Sequence, residues 1–148
     1  MCASPEETIA LGERIARRLV PGSVIALRGG LGAGKTCLTK GIARGLGVEE
    51  EVNSPTYTII SEYGIKEKTS FYHIDAYRLE GDEDFEALGG RELFCEEGIA
   101  VVEWSERIPR SLPEASILIE IEILDGERRC FRISGFEGIK NGEGSGGL

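Results

Sequence analysis

The residues Gly29-Gly30-Leu31-Gly32-Ala33-Gly34-Lys35-Thr36 satisfy the pattern G-x-x-x-x-G-K-[ST]. Each residue type has a physical task in that pattern. Glycines let the backbone curl until successive N–H groups converge on phosphate oxygens, and a helix starting at the end of the loop adds the partial positive charge of its N-terminus. The Lys35 ammonium can reach the β- and γ-phosphates of a nucleotide, and the Thr36 hydroxyl can ligate magnesium. Gly30, Leu31, Gly32, Ala33, Gly34, Lys35 and Thr36 therefore form the candidate nucleotide-binding set. A glycine-rich turn can match such a pattern by accident, so the flanking elements have to support the reading.

A phosphate loop of this kind works with a carboxylate at the end of another strand, which holds the metal directly or through water. Asp75 follows the run Phe71-Tyr72-His73-Ile74, and Glu103 follows Ile99-Ala100-Val101-Val102. Most acids in a chain that carries 26 of them are solvated surface, and emergence from an apolar strand sets these two apart. The run before Glu103 reads as the more central strand. Glu103 is therefore expected on the metal side with Thr36, and Asp75 is expected to orient water or a switch segment. Lys35, Asp75 and Glu103 are the candidate catalytic residues. His73 by itself reads as structural rather than catalytic, and Trp104, the single tryptophan, as core or interface. Asn53-Ser54-Pro55-Thr56 stands where GTPases place their first switch, and a hydroxyl there could sense a γ-phosphate; an ordinary loop fits the same residues equally well.

The elements that must position these residues are legible around them. Ser4-Pro5-Glu6-Glu7 predicts a helix start, with Ser4 as N-cap, Pro5 at the first helical position and Glu7 completing a capping box. Ile9, Ile15, Ala16 and Leu19 share a face of that helix, which Pro21-Gly22 is expected to end. Val24-Ile25-Ala26-Leu27 predicts a buried strand that feeds the glycine loop. Leu38, Ile42 and Leu46 then carry a helical period that Gly47 can stop. The loop thus lies between a strand and a helix. Thr56 to Tyr63 and Thr69 to Ile74 predict a hairpin, Asp82 to Leu88 a short helix closed by Gly89, and Ile99 to Val102 a strand covered on both faces. Ile117, Ile119, Ile121 and Ile123 alternate with Leu118, Glu120 and Glu122, and Asp125-Gly126 offers a turn into Arg129 to Ile133 as a second hairpin.

Composition bounds the rest. With 148 residues, 41% hydrophobic and 29% charged, the chain has the balance of one globular domain, read here as residues 1–136, followed by a glycine-rich tail at 137–148 expected to be disordered. No basic stretch leads into an apolar run at the start, and no segment approaches the roughly 18 apolar residues of a membrane span, so a cytoplasmic location is expected. Cys2, Cys37, Cys95 and Cys130 are scattered without a C-x-x-C pair, and there is one histidine, so neither zinc nor a disulfide framework is expected. A net charge of -9 opposes the counterion release that drives nucleic-acid binding.

Four segments, LRGGLGAGKT, NSPTYTIISEY, FYHIDAYRL and VVEWSERI, taken together and in this order, resemble the TsaE (formerly YjeE) family, the ATPases of bacterial tRNA threonylcarbamoyladenosine biosynthesis. The resemblance covers about Ser4 to Ile133. It implies an α/β, P-loop NTPase-like three-layer fold whose parallel core sheet is extended by antiparallel strands. It implies ATP and Mg2+ as cofactors, phosphate on Lys35, magnesium on Thr36 and Glu103, hydrolysis assisted by Asp75, and Trp104 at the border of the nucleotide site. The implied partners are the TsaD and TsaB proteins, with tRNA held through them and modified at the adenosine next to the anticodon in tRNAs that read codons beginning with A. No NKxD-type guanine motif is present, in keeping with an adenine nucleotide. Two positions depart from the family: Gly30 stands where Asp is frequent, and Ser105 where proline is common, which is expected to loosen the turn after Trp104. A small-molecule kinase and a nucleotide-dependent binding module without hydrolysis are the competing classes; the kinase lacks a recognisable arginine-rich lid.

Overall fold

The computed structural model describes residues 2, 4–30, 34–50, 52, 60–65, 69–95, 97–126 and 128–135. Leu31, Gly32 and Ala33, the Asn53-Ser54-Pro55-Thr56 segment, the start of the first hairpin at 56–59 and the tail at 137–148 lie outside the described residues.

Helix α1 spans Pro5–Ala16, and the Ser4 hydroxyl accepts the Glu7 N–H at 3.2 Å as its N-cap. The helix stops at Ala16, earlier than Pro21-Gly22, because the chain must reverse into strand β1, Val24–Arg28. Tight bonds from Arg18 N to Ile15 O and from Leu19 N to Ala16 O close the last turn, and Gly22 turns with φ 98°. Helix α2 runs over Lys35–Leu46 and ends at Gly47, whose φ of 97° supplies the left-handed cap that a side chain would strain. Strands β2 (Ile60–Gly64) and β3 (Ser70–Asp75) form the first hairpin, and α3 covers Asp82–Ala87. Strand β4 is Gly98–Glu103, buried at every position, and β5 (Ile117–Asp125) pairs with β6 (Arg128–Ser134) as the second hairpin.

The six strands form one sheet in the order β2-β3-β4-β1-β5-β6. β3, β4, β1 and β5 are parallel, and the edge strands β2 and β6 are antiparallel to their neighbours. Alternation along each strand sends side chains to opposite faces. Ile25, Leu27, Val101 and Ile119 meet Leu11, Ile15, Leu38 and Ile42 of α1 and α2 on one face. Val24, Ala100, Val102 and Ile74 meet Phe85 of α3 and Ile108 on the other. Helical elements on both faces make three layers.

The α1–α2 contact is unusually close, and glycine makes it possible. A Cβ on Gly41 would fall 2.2 Å from the Ile9 carbonyl oxygen, and one on Gly12 would fall 2.6 Å from that of Leu38. α1 therefore braces the helix that carries Lys35 and Thr36. The alternation expected through Ile123 stops earlier: Ile121 is buried, whereas Ile123 is 46% exposed. A register irregularity lies between Ile123 and Asp125, where the hairpin tip runs beyond its cover. No helix among the described residues is long and apolar enough to cross a membrane.

Candidate nucleotide and metal site

Parallel pairing brings the site together at the carboxyl ends of the central strands. Glu103 at the end of β4 stands in register with Leu27 of β1 on one side and with Asp75 of β3 on the other. The more central of the two acid-bearing strands is indeed the one that ends in Glu103, as its unbroken apolar run suggested. A bond from Ala76 N to Glu103 O at 3.0 Å carries the pairing one step past the strand ends.

The N-terminus of α2 faces the same end. Gly34 has φ 105°, and among the described residues no side chain caps the helix start. Its first N–H groups and its dipole are thus aimed where an anion would be favourable. Lys35 is buried at 6% exposure, with Nζ donating to the carbonyl oxygens of Gly29 and, at 3.1 Å, of Gly30. The same ammonium lies 3.9 Å from the Trp104 ring centroid, in cation–π contact. Burial lowers the Lys35 pKa, opposed by the fields of Glu103, Glu106 and Asp75. Among the described residues no carboxylate forms an ion pair with it. Thr36, half-buried, is the next residue of the same turn. At Gly30 a Cβ would meet nothing within 4 Å among the described residues.

The two acids differ in their surroundings. Glu103 is 3% exposed, and its Oε2 lies 2.5 Å from Nε2 of His73, which is fully buried. Asp75 is half-buried, and its Oδ1 accepts the Tyr77 N–H at 3.0 Å. Burial raises the Asp75 pKa, the Tyr77 N–H opposes that shift, and the neighbouring Glu103 charge adds to it. Two carboxylates in register, one of them destabilised by burial and by the other, are a donor set that a hard divalent cation relieves. The residues therefore fit magnesium as well as a phosphate.

Trp104 is held on three sides. Its φ of 59° is the left-handed region, the only such value at a non-glycine residue among the described residues, and a strained one for an aromatic residue. The Tyr77 ring packs against the indole at 4.9 Å, and Arg107 lies over Tyr77 at 5.4 Å while donating to Leu79 O at 3.3 Å. Ser105 is fully buried and its hydroxyl donates to Leu27 O at 3.1 Å. The serine thus ties the turn after Trp104 to β1 instead of loosening it. Sequence reasoning missed this bond, the Tyr77 and Arg107 support, and the partner of His73. The period of two, which puts His73 and Asp75 on one face of β3, was the available signal for the last.

A mostly parallel sheet with helices on both faces, in which the helix after β1 starts from an uncapped glycine turn beside the carboxyl ends of β1 and β4, defines a P-loop NTPase-like fold. The family described as threonylcarbamoyl adenosine biosynthesis protein TsaE matches residues 2–131. The tRNA threonylcarbamoyladenosine biosynthesis protein TsaE of Treponema pallidum is 43% identical over 126 residues, covering 84% of this chain and 92% of the relative. That of Bacillus subtilis is 44% identical over 128 residues, covering 85% and 78%. The crystal structure of Bacillus subtilis YdiB superposes with a TM-score of 0.66 at 36% identity, over 86% of this chain and 78% of the other. The chain belongs to the TsaE family.

Proposed function

We propose that this protein is a magnesium-dependent ATPase that supports threonylcarbamoylation of the adenosine next to the anticodon in tRNAs reading codons beginning with A. Its partners in this reading are the TsaD and TsaB proteins, which carry the tRNA; a chain with net charge -9 is a poor RNA ligand by itself. The names of the relatives support the pathway. The observation that carries the ATPase reading is the buried Lys35 ammonium at a helix start that opens on Gly34, with no carboxylate paired to it among the described residues and with Glu103 and Asp75 in register beside it.

In this reading the N–H groups of residues 30–36 and the Lys35 ammonium bind the β- and γ-phosphates, and the Trp104 indole gives up its hold on the ammonium as they arrive. Thr36 and Glu103 hold magnesium. The ion supplies charge neutralisation at the phosphates when bound. Asp75 orients the attacking water through the oxygen that Tyr77 N–H does not occupy. Trp104, fixed by Tyr77 and Ser105, borders the nucleotide. A residue supplied by a partner can raise turnover of such ATPases by about 10³-fold or more, so hydrolysis is expected to be slow alone and faster with TsaD and TsaB.

The test is a reconstitution with threonylcarbamoyl-adenylate, tRNA, TsaD and TsaB, measuring phosphate release and modified tRNA per enzyme. Multiple turnovers are expected with the wild-type chain and not with Lys35→Ala. Full support from Lys35→Ala would overturn the coupling to hydrolysis. Phosphate transferred to a small molecule, or nucleotide binding without any release, would favour the kinase or the binding module instead.

A further inference from the structure

His73 lies below the site, not at the phosphate loop, and nothing about a nucleotide requires it. Yet it is the chain's single histidine, it is fully buried, and its Nε2 reaches Glu103 Oε2 at 2.5 Å. Its other ring nitrogen, Nδ1, has no hydrogen-bond partner among the described residues. That asymmetry selects the tautomer. An imidazole with its proton on Nε2 donates to the carboxylate and leaves only a bare lone pair at Nδ1, whereas a proton on Nδ1 would bury an unsatisfied N–H and set two acceptors against each other.

The backbone makes the contact specific. On β3, Phe71, His73 and Asp75 share one face, and Asp75 is the residue in register with Glu103. His73 therefore approaches Glu103 from two residues further down the neighbouring strand. It holds Oε2, and among the described residues no further hydrogen bond engages Oε1. We propose that His73 is a positioning residue: its Nε2–H fixes the Glu103 carboxylate so that one oxygen is presented for magnesium. This rests on the assignment of Glu103 to the metal given above. A buried carboxylate without such a donor would be free to rotate and would lose an oriented lone pair. Partners of this kind, hydrogen-bonded to a metal ligand, are typically worth 10- to 100-fold in metal affinity.

The experiment has a metal-free arm and a metal arm, on the full-length chain. With one histidine, a ¹⁵N–¹H spectrum of the imidazole is unambiguous. Without nucleotide or magnesium it is expected to show the Nε2–H form with a strongly downfield proton that moves upfield in Glu103→Gln. An Nδ1–H form, or a spectrum indifferent to Glu103→Gln, overturns the proposal. In the metal arm, the magnesium concentration that half-saturates binding of a fluorescent ADP analogue is measured for wild type, Glu103→Gln, His73→Phe, His73→Asn and His73→Gln. Binding in excess chelator and melting temperature are measured alongside. Gln carries an N–H at about the reach of Nε2, and Asn does not. The expected result is a rise of about tenfold or more in the magnesium requirement for His73→Phe and His73→Asn, near wild-type behaviour for His73→Gln, and unchanged binding in chelator for all three. If His73→Phe does not fold, the Asn and Gln pair carries the comparison. If Glu103→Gln raises the magnesium requirement and both His73→Asn and His73→Phe leave it unchanged, the positioning role is wrong while the metal assignment stands. If Glu103→Gln itself leaves it unchanged, the metal assignment falls and the role built on it falls too.

Discussion

Two polar pairs tie neighbouring strands together, one inside the sheet and one at its β6 edge, and they have little else in common. His73 of β3 and Glu103 of β4 meet at 2.5 Å with side chains 0% and 4% exposed. Arg132 of β6 and Glu122 of β5 meet at 3.2 Å with side chains 66% and 54% exposed. The second pair sits on the exposed side of its hairpin, where water competes for both partners and salt screens them. The first sits where the sheet is covered on both faces, so the carboxylate has given up its water and depends on the protein for a donor. Folding alone does not favour such an arrangement, since a buried polar pair is frequently replaceable by apolar residues without loss of stability. The covered region of the sheet relies on partners inside the protein, and the open end on water.

The largest effect that tests this contrast should come from Lys35→Ala. Loss of a charge-assisted phosphate contact is expected to cost about 1.5–3 kcal/mol or more in ATP affinity, measured by calorimetry, with turnover abolished and the melting temperature kept. A fall in melting temperature with unchanged ATP binding would mean that the ammonium serves the fold instead. Next in size, Glu103→Ala should raise the magnesium requirement and also lower stability by about 1–3 kcal/mol, because it strands the buried Nε2–H of His73. Asp75→Ala should lower turnover while nucleotide affinity is largely kept. A magnesium titration that gives the reverse pattern would mean that the two acids exchange roles.

Smaller still is the expected response of Asp75→Asn, which keeps the acceptor for Tyr77 N–H and removes a charge that burial and Glu103 disfavour. The folded-state pKa of Asp75 is raised, so its ionisation penalty is fully present above that raised value. The penalty is lost as pH falls through that raised value and is gone below the usual carboxylate range, where the group is neutral in both states. The variant should therefore melt higher than wild type at neutral pH, by no more than about 1 kcal/mol given the partial exposure, and the two curves should converge in acid. Thermal scans across pH would show this, and a gap that widens in acid would contradict it. The smallest effect belongs to the open end: Arg132→Ala is expected to change stability by less than about 0.5 kcal/mol, and less again in high salt, by chemical denaturation. A cost approaching that of Glu103→Ala would erase the distinction between the two regions.

What could be determined from the sequence alone is what depends on near neighbours in the chain. The Ser4 cap, the Gly47 stop, both hairpins and the strand–loop–helix order around Lys35 follow from backbone preferences and from periods of 2 and 3.6, which short segments express without knowing the rest of the fold. The unbroken apolar run before Glu103 also marked the more central of the two acid-bearing strands, since only a strand covered on both faces needs such a run. Tertiary structure decided the relations between distant segments. His73 and Glu103 are 30 positions apart, and Ser105 and Leu27 are 78 apart. Whether such residues touch depends on the strand order, and no local preference encodes that β4 lies between β3 and β1. The same holds for Gly12 and Gly41, two glycines in helix interiors where local propensity disfavours them. Only the approach of α1 to α2, with an Ile9 carbonyl 2.2 Å from where a Gly41 Cβ would stand, supplies the reason.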